Sequence, residues 1–528
     1  MVVRSFPARL SAGVLSGVLL GLAFPNVSAV FLLPVALVPL LRAVDGAGPR
    51  AAFVPGWAFG AAFWFTTIPW IAYTIHRYGD FSPPAAAFGL VVAAALLGVP
   101  FGVMTSLVAA AAPRGPAAFL ATWAGAWVVQ EGIRTYALSG FPWALLSYPL
   151  ADFPLLAQTA SLGGAWLTSA LVVLVNAGIY LALRGRRGDR IAGVAAVAAA
   201  VALSLAWGAW RLGTPSRPGS GPPLRVVLLQ PGTPQEVRQS FEAAAAIRRD
   251  VLAQTRLLVP PGSADLVVWP ESATLDAWPW DAGYRLDLTE LCRELGTALL
   301  LNTVWSDAPE DPSAPYYNSA LLVTANGPVL PPYHKLRLVP FGEYVPLAKL
   351  LRSIGPVSRA VPGSFTPGER PVEIPLRGHL LGGAVCYEVV YPWILRAHVR
   401  AGADVLFTIT NDAWYGTAGA QPQHFEAAVF RAIETGRPLL RAAVTGISGW
   451  IDDRGRVLAS LGPGRRGAIE GTLRPPEPSE LTPAVRLGDG LLWVCAAGLA
   501  AAILRRRLPS GRAGAEGASP ADGRETGR

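Results

Sequence analysis

Cysteine and histidine are scarce in this chain: 528 residues hold only three cysteines, Cys292, Cys386 and Cys495, and five histidines. No CxxC pair and no HExxH occurs, which argues against a disulfide framework and a zinc site and leads us to expect no metal and no cofactor. A GxSxG segment is also missing, so a serine hydrolase of that type is set aside. Charge is thin as well, 15% of residues against 52% hydrophobic, a balance outside the range of ordinary soluble domains. The net charge of +9 (44 − 35) comes from arginines in short loops between apolar runs. That placement fits membrane topology and does not point to nucleic acid.

Apolar runs of about 20 residues, enough to cross roughly 30 Å of hydrocarbon, stand at approximately 8–25, 27–44, 52–75, 85–112, 117–133, 157–183, 191–212 and 489–505. The first could be a signal peptide with a small-residue site near Ala29, or an uncleaved helix; the apolar segments that follow favour the helix. Eight alternating spans put Arg4, Arg9, Arg42, Arg50, Arg114, Arg184, Arg186, Arg187, Arg190 and Arg505 to Arg507 on one side. Only Arg77 and Arg134 fall in the short loops opposite. Short cytoplasmic loops retain Arg and Lys, so both termini are expected in the cytoplasm and the long segment between spans seven and eight outside it.

We therefore expect a membrane bundle of about seven spans over residues 1–213, an α/β domain over 224–473, a final span over 487–507 and a disordered cytoplasmic tail over 508–528. Pro-rich linkers, Thr214-Pro215-Ser216-Arg217-Pro218 and Pro475-Pro476-Glu477-Pro478, flank the domain. Inside it, short β-rich runs at Leu224–Gln230, Asp265–Trp269, Ala298–Val304, Ala320–Thr324, Leu380–Cys386 and Val405–Thr410 alternate with helical stretches near 236–257, 284–295, 391–401 and 422–436.

Three segments end apolar strands with a reactive side chain: Trp269-Pro270-Glu271-Ser272, Tyr333-His334-Lys335 continuing to Phe341-Gly342-Glu343, and Val385-Cys386-Tyr387-Glu388. A fourth, Asn411-Asp412-Ala413-Trp414, follows the next strand. Singly, each has a bland reading as core cysteine, loop carboxylate or surface lysine. Together they supply a base, an oxyanion-stabilising cation and a thiol, which suffices for acyl transfer. A thiol with pKa near 8.5 is mostly protonated at neutral pH, so it needs the other two. Cys292 follows helical spacing with Leu288, Leu291 and Leu295 and reads as core, and Cys495 reads as packing within the last span.

In this order, WPES, KxxLVPFGEYVP, CYE, NDAW, QHF and RAIExGRPxxRA resemble the nitrilase superfamily, and within it the apolipoprotein N-acyltransferases of bacterial membranes. Glu131, Arg134, Gly140-Phe141-Pro142-Trp143 and Val175-Asn176-Ala177 extend the resemblance into the bundle. It implies an αββα sandwich in which Glu271 is general base, Lys335 faces the oxyanion and Cys386 is nucleophile, with Glu343, Tyr387 and Glu388 in support. It further implies a phospholipid acyl donor, a diacylglyceryl-cysteine apolipoprotein as acceptor, a ping-pong sequence and the inner membrane of a bacterium; a monomer is expected. Arg337, where the family carries His, Val444, where Asn is frequent, and Gln239, where an aromatic is usual, depart from the pattern. Trp278 and Trp280 read either as a lipid entrance at the headgroup boundary or as ordinary packing. Arg134 reads as a phosphate contact or as a helix-terminal partner of Glu131. A tethered amidase using the same trio, and a transporter or scaffold with an inactive domain, are the rival functions.

Overall fold

The computed structural model describes residues 5–184, 186–239, 241–340, 342–344, 365–416 and 419–507. The expected tail, Phe341 and the side chain of Gln239 lie outside the described residues. Among the described residues nine α-helices precede the first strand: α1 (Phe6–Leu22), α2 (Val38–Val44), α3 (Pro49–Thr67), α4 (Trp70–Tyr78), α5 (Pro83–Ala111), α6 (Pro116–Tyr136), α7 (Pro154–Ala157), α8 (Ala160–Leu183) and α9 (Arg187–Gly213). Several start on proline, whose missing N–H would be unpaired there anyway.

Small residues let these helices approach closely. A Cβ on Gly17 of α1 would stand 2.2 Å from the Phe59 carbonyl oxygen of α3, and one on Gly56 would stand 2.0 Å from Thr105 Oγ1 of α5. By length and apolarity three described helices, α5, α8 and α9, can cross a membrane, and a fourth if α3 and α4, bent by 61° at their junction, form one broken span. This is fewer than the eight runs marked by hydropathy. The run at 27–44 is not one helix: Pro34 and Pro39 interrupt it, leaving a 3-10 turn at Val30–Leu32 and the seven-residue α2. Buried Asn176 of α8 repairs the break, accepting from Leu37 N at 2.9 Å and donating to the Leu33 carbonyl at 2.9 Å. A backbone break among apolar helices persists only where such partners exist.

Twelve strands follow among the described residues, in two six-stranded sheets. The first contains β1 (Leu224–Gln230), β2 (Leu266–Val268), β3 (Ala298–Trp305), β4 (Tyr317–Thr324), β5 (Gly327–His334) and β12 (Gly467–Leu473), in the order β12-β1-β2-β3-β4-β5. The second contains β6 (Ile374–Leu376), β7 (His379–Val385), β8 (Val405–Thr410), β9 (Leu439–Ala443), β10 (Ser448–Ile451) and β11 (Val457–Leu461), in the order β11-β10-β9-β8-β7-β6. Alternation along the strands sorts their side chains between two cores. Val227, Leu229, Val267, Leu299 and Leu301 pack with helices α10 (Phe241–Leu258) and α11 (Ala282–Leu295), whereas Val226, Leu228, Leu266, Val268 and Leu300 share a core with β7 and β8.

Helices α12 (Pro392–Arg400) and α13 (Ala420–Thr435) accompany the second sheet, and α14 (Pro483–Leu487) and α15 (Gly490–Arg507) lead back to the bundle. Domain and bundle are tied by buried polar contacts. Trp143 Nε1 donates to Gln423 Oε1 of α13 at 2.7 Å, and Gln423 Nε2 donates to the carbonyls of Pro25 and Thr67, each at 2.8 Å. Glu434 accepts from Ala165 N of α8 at 2.5 Å.

Candidate active site

The parallel strands β1, β2 and β3, and β7, β8 and β9, end at one rim, and the reactive residues follow them. Functional groups of α/β folds commonly stand beyond the carboxyl ends of strands. Glu271 comes three residues after β2, and Ser272 next to it has a positive φ of 52°. Its amide donates to Asn302 Oδ1 of β3 at 2.9 Å. Lys335 directly follows β5 and is fixed by its own amide, which donates to the Asn318 carbonyl of β4 at 2.8 Å.

Cys386 begins the 3-10 turn Cys386–Val390 immediately after β7, with φ at +56°. A left-handed backbone at a residue with a Cβ costs roughly 1 kcal/mol or more and persists only where surrounding contacts enforce it. Glu388 supplies several of them. Its Oε2 accepts from Val385 N at 2.7 Å and the Tyr333 hydroxyl at 2.9 Å, and its Oε1 from the amides of Leu336 and Arg337 at 2.6 and 3.0 Å. One buried carboxylate therefore joins the cysteine turn to the lysine loop. Burial pushes Glu388 up to about 7, against the pull of Lys335 and these donors.

The charges converge. Lys335 Nζ lies 3.0 Å from Glu343 Oε1 and 3.4 Å from Glu271 Oε1, with only 1% of its side chain exposed. Asn318 Nδ2 donates to both carboxylates, at 3.1 Å to Glu271 Oε1 and 2.6 Å to Glu343 Oε1. Asn411 N donates to Glu271 Oε2 at 3.1 Å, and Val339 N to Glu343 Oε2 at 2.7 Å. Burial disfavours the ammonium of Lys335, but Glu343, then Glu271 and Cys386, outweigh it and hold its pKa above the usual lysine value. Burial and then the Glu271 charge push the Cys386 thiol up, with Lys335 pulling the other way. The resting sulfur is thus a protonated thiol within the field of a carboxylate and an ammonium, and 5% of the residue is exposed.

Sequence reasoning left Asn302, Asn318, Thr410, His424 and Arg441 without roles. Asn302 Nδ2 donates to Asn318 Oδ1 at 2.6 Å, which orients the Asn318 amide towards the two carboxylates. Thr410 Oγ1 stands 3.3 Å from Cys386 Sγ and 2.8 Å from Asp412 Oδ1. QHF and NDAW were the only signals for His424 and Asp412, and neither spacing discloses a partner.

The remaining expected residues are placed as follows. Tyr387 donates from its hydroxyl to the Gly140 carbonyl at 3.3 Å and stacks on Phe141 and Trp143, at 6.3 and 6.2 Å between ring centroids. Trp278 is 5% exposed inside the core under α10 and α11. Trp280 is 44% exposed, near Tyr316, and donates to the Pro309 carbonyl at 2.8 Å. Arg134 is buried, 3.7 Å from Glu131, donates to the Trp143 carbonyl at 3.1 Å and lies over the Trp64 ring. Arg337 stacks over Trp393 at 5.5 Å. Val444 is buried, and its amide donates to the Thr410 carbonyl at 3.2 Å. Cys292 sits in the core of α11.

Two family models match the chain: the apolipoprotein N-acyltransferase N-terminal domain over residues 16–178 and carbon-nitrogen hydrolase over residues 238–478. The apolipoprotein N-acyltransferase of Geobacter metallireducens is 33% identical over 503 residues, covering 94% of this chain and 95% of that protein. That of Sinorhizobium medicae is 30% identical, covering 89% and 91%, and that of Azotobacter vinelandii 33%, covering 92% and 94%. Among solved structures, a mutant of a Nesterenkonia amidase from the nitrilase superfamily aligns with 52% of this chain and 99% of its own at 22% identity, with a TM-score of 0.37. With relatives at this identity spanning nearly its whole length, the chain belongs to the apolipoprotein N-acyltransferase family.

Proposed function

We propose that this membrane protein transfers a fatty acyl chain from a phospholipid to the α-amino group of the diacylglyceryl-cysteine at an apolipoprotein N-terminus, by a ping-pong sequence through Cys386. The observation that carries the reading is the buried cluster in which Lys335 touches two carboxylates and shares its field with the Cys386 sulfur, in a chain fused to apolar helices. A soluble amide substrate would need no bundle, since a single anchor tethers a domain.

In the first half-reaction Glu271 takes the thiol proton as Cys386 Sγ attacks the ester carbonyl, and Lys335 faces the oxyanion. Collapse breaks the ester bond, and Glu271 returns the proton to the departing lysophospholipid alkoxide, leaving a thioester. In the second, the acceptor amine attacks the thioester and Glu271 takes its proton. The C–S bond breaks as the amide forms, and the thiolate recovers that proton. Glu343 holds the ammonium, Glu388 and Tyr387 hold the cysteine turn, and the scant exposure of Cys386 supports a thioester kept from water.

The reading includes a bundle over 1–213, an αββα catalytic domain over 224–473, a final span over 487–507 and a tail over 508–528. The arginine asymmetry supports the inner membrane with the catalytic domain outside the cytoplasm and both termini within. Incubating the purified protein with phospholipid should yield a fatty-acyl mass adduct on the Cys386 peptide, absent in Cys386→Ala. A diacylglyceryl lipopeptide should discharge it. Discharge by water at the same rate without the lipopeptide would instead mark a hydrolase.

A further inference from the structure

The trio does not use every polar group that reaches the sulfur. Thr410, the last residue of β8, points its hydroxyl at two acceptors, Cys386 Sγ at 3.3 Å and Asp412 Oδ1 at 2.8 Å, yet it carries a single proton. Asp412 is wholly buried. Its Oδ2 accepts from Arg441 Nη2 at 2.6 Å and its Oδ1 stands 2.9 Å from His424 Nδ1. Burial opposes the charge on Asp412, but Arg441 and His424 overcome it and hold the carboxyl well below the usual range. On its other side His424 Nε2 donates to the Cys386 carbonyl at 3.1 Å, gripping the residue whose φ is +56°.

An ionised carboxylate at the shorter distance accepts the hydroxyl's hydrogen bond while the sulfur is a neutral thiol, leaving the Thr410 oxygen as acceptor. Once the thiol proton has gone to Glu271, the sulfur becomes a charged acceptor beside the same hydroxyl. Rotation about one bond then turns the donor onto it. Asp412 can lose that hydrogen bond without being stranded, because Arg441 remains bonded to it.

On the reading of Cys386 as nucleophile, we propose that Thr410 is a further catalytic residue, a switching donor that stabilises the Cys386 thiolate as it attacks and again as it leaves. Asp412, held by Arg441, is the positioning residue that keeps the hydroxyl within reach of both acceptors. A donor to the charged form favours that form. Of the other groups that act on the sulfur, Glu271, Lys335 and Tyr415 come from other segments, and Asp412, whose charge pushes the thiol up, stays in place when position 410 is substituted.

The test uses the full chain in detergent with Thr410→Val, which keeps the shape, and Thr410→Ser, which keeps the hydroxyl. Alkylation of Cys386 by iodoacetamide, read by peptide mass spectrometry across a pH series, reports thiolate. In Thr410→Val the midpoint should rise by about one pH unit, equivalent to about tenfold less thiolate at a given pH. The kcat of thioester formation should fall about tenfold with the phospholipid KM unchanged, and Thr410→Ser should restore both. Asp412→Asn also removes a charge that pushes the thiol up, so its readout is coupling: Thr410→Val should raise the midpoint by less in the Asp412→Asn background than in the native chain. A merely structural hydroxyl would lower thermal stability without moving the alkylation midpoint. An unmoved midpoint and kcat in Thr410→Val, while the native protein still acylates Cys386, overturns the proposal and leaves the acyltransferase reading standing; additive shifts with Asp412→Asn overturn the aiming role. Failure of the native protein to acylate Cys386 overturns that reading and this proposal with it.

Discussion

Substituting Glu343 with glutamine tests how much the placement of the ammonium contributes to the proposed reaction. Glu343 Oε1 lies 3.0 Å from Lys335 Nζ, where 1% of the lysine side chain and 12% of the glutamate side chain are exposed, so little solvent screens the pair. A hydrogen bond to a charged group contributes about 1.5–3 kcal/mol. Glutamine keeps an acceptor for Lys335 but sets an NH2 against the Val339 amide, which donates to Glu343 Oε2 at 2.7 Å. A net loss of about 2 kcal/mol in holding Lys335 on the oxyanion corresponds to about a 30-fold fall in kcat. Glu343 is also the largest of the influences holding the lysine pKa up. A lysine raised on folding adds stability that is complete below about pH 10.4 and lost as pH rises through the higher folded value. At neutral pH the native chain therefore has that contribution in full, Glu343→Gln has less of it, and the alkaline limb of its rate profile moves to lower pH. Rapid-quench mass spectrometry of the Cys386 thioester, over phospholipid concentration and pH, measures both effects. A full rate with an unshifted alkaline limb in Glu343→Gln would refute the reasoning.

Arg134→Met should destabilise the bundle by about 3–5 kcal/mol because it leaves Glu131 buried without its cation, and adding Glu131→Gln should recover most of the loss. Thermal unfolding in detergent decides, and a single variant as stable as the native chain would contradict it. The two tryptophans of the 275–280 loop should separate: Trp278→Ala removes a core side chain and should cost about 3–5 kcal/mol, whereas half-exposed Trp280 should cost far less. Phospholipid KM for Trp280→Ala tests the lipid-entrance role, and an unchanged value removes it.

Strands β1 and β8 were legible to the residue, since Leu224–Gln230 and Val405–Thr410 are apolar runs rich in valine, leucine and isoleucine. Strand β5 is absent from the expected runs, since Pro328, Pro331 and Pro332 weaken its strand signal. It forms at the edge of its sheet, where a missing N–H leaves no inner partner unbonded. Hydropathy likewise could not see the break at 27–44, where the average stays apolar while Pro34 and Pro39 end the helical hydrogen bonding and Asn176, far along the chain, makes the break tolerable.

By itself the sequence determined the class of the protein: apolar segments too many for a soluble domain, an α/β segment between Pro-rich linkers, and a carboxylate, a lysine and a cysteine in a chain that relatives match over nearly its whole length. Only the tertiary structure decided the partners. Asn411 reaches Glu271 across 140 residues, Asn318 bridges Glu271 and Glu343, and Thr410 meets a sulfur 24 positions away. Residue type and spacing record what a side chain can donate or accept; which acceptor it meets depends on strand order and register, and those are fixed only when the sheets close.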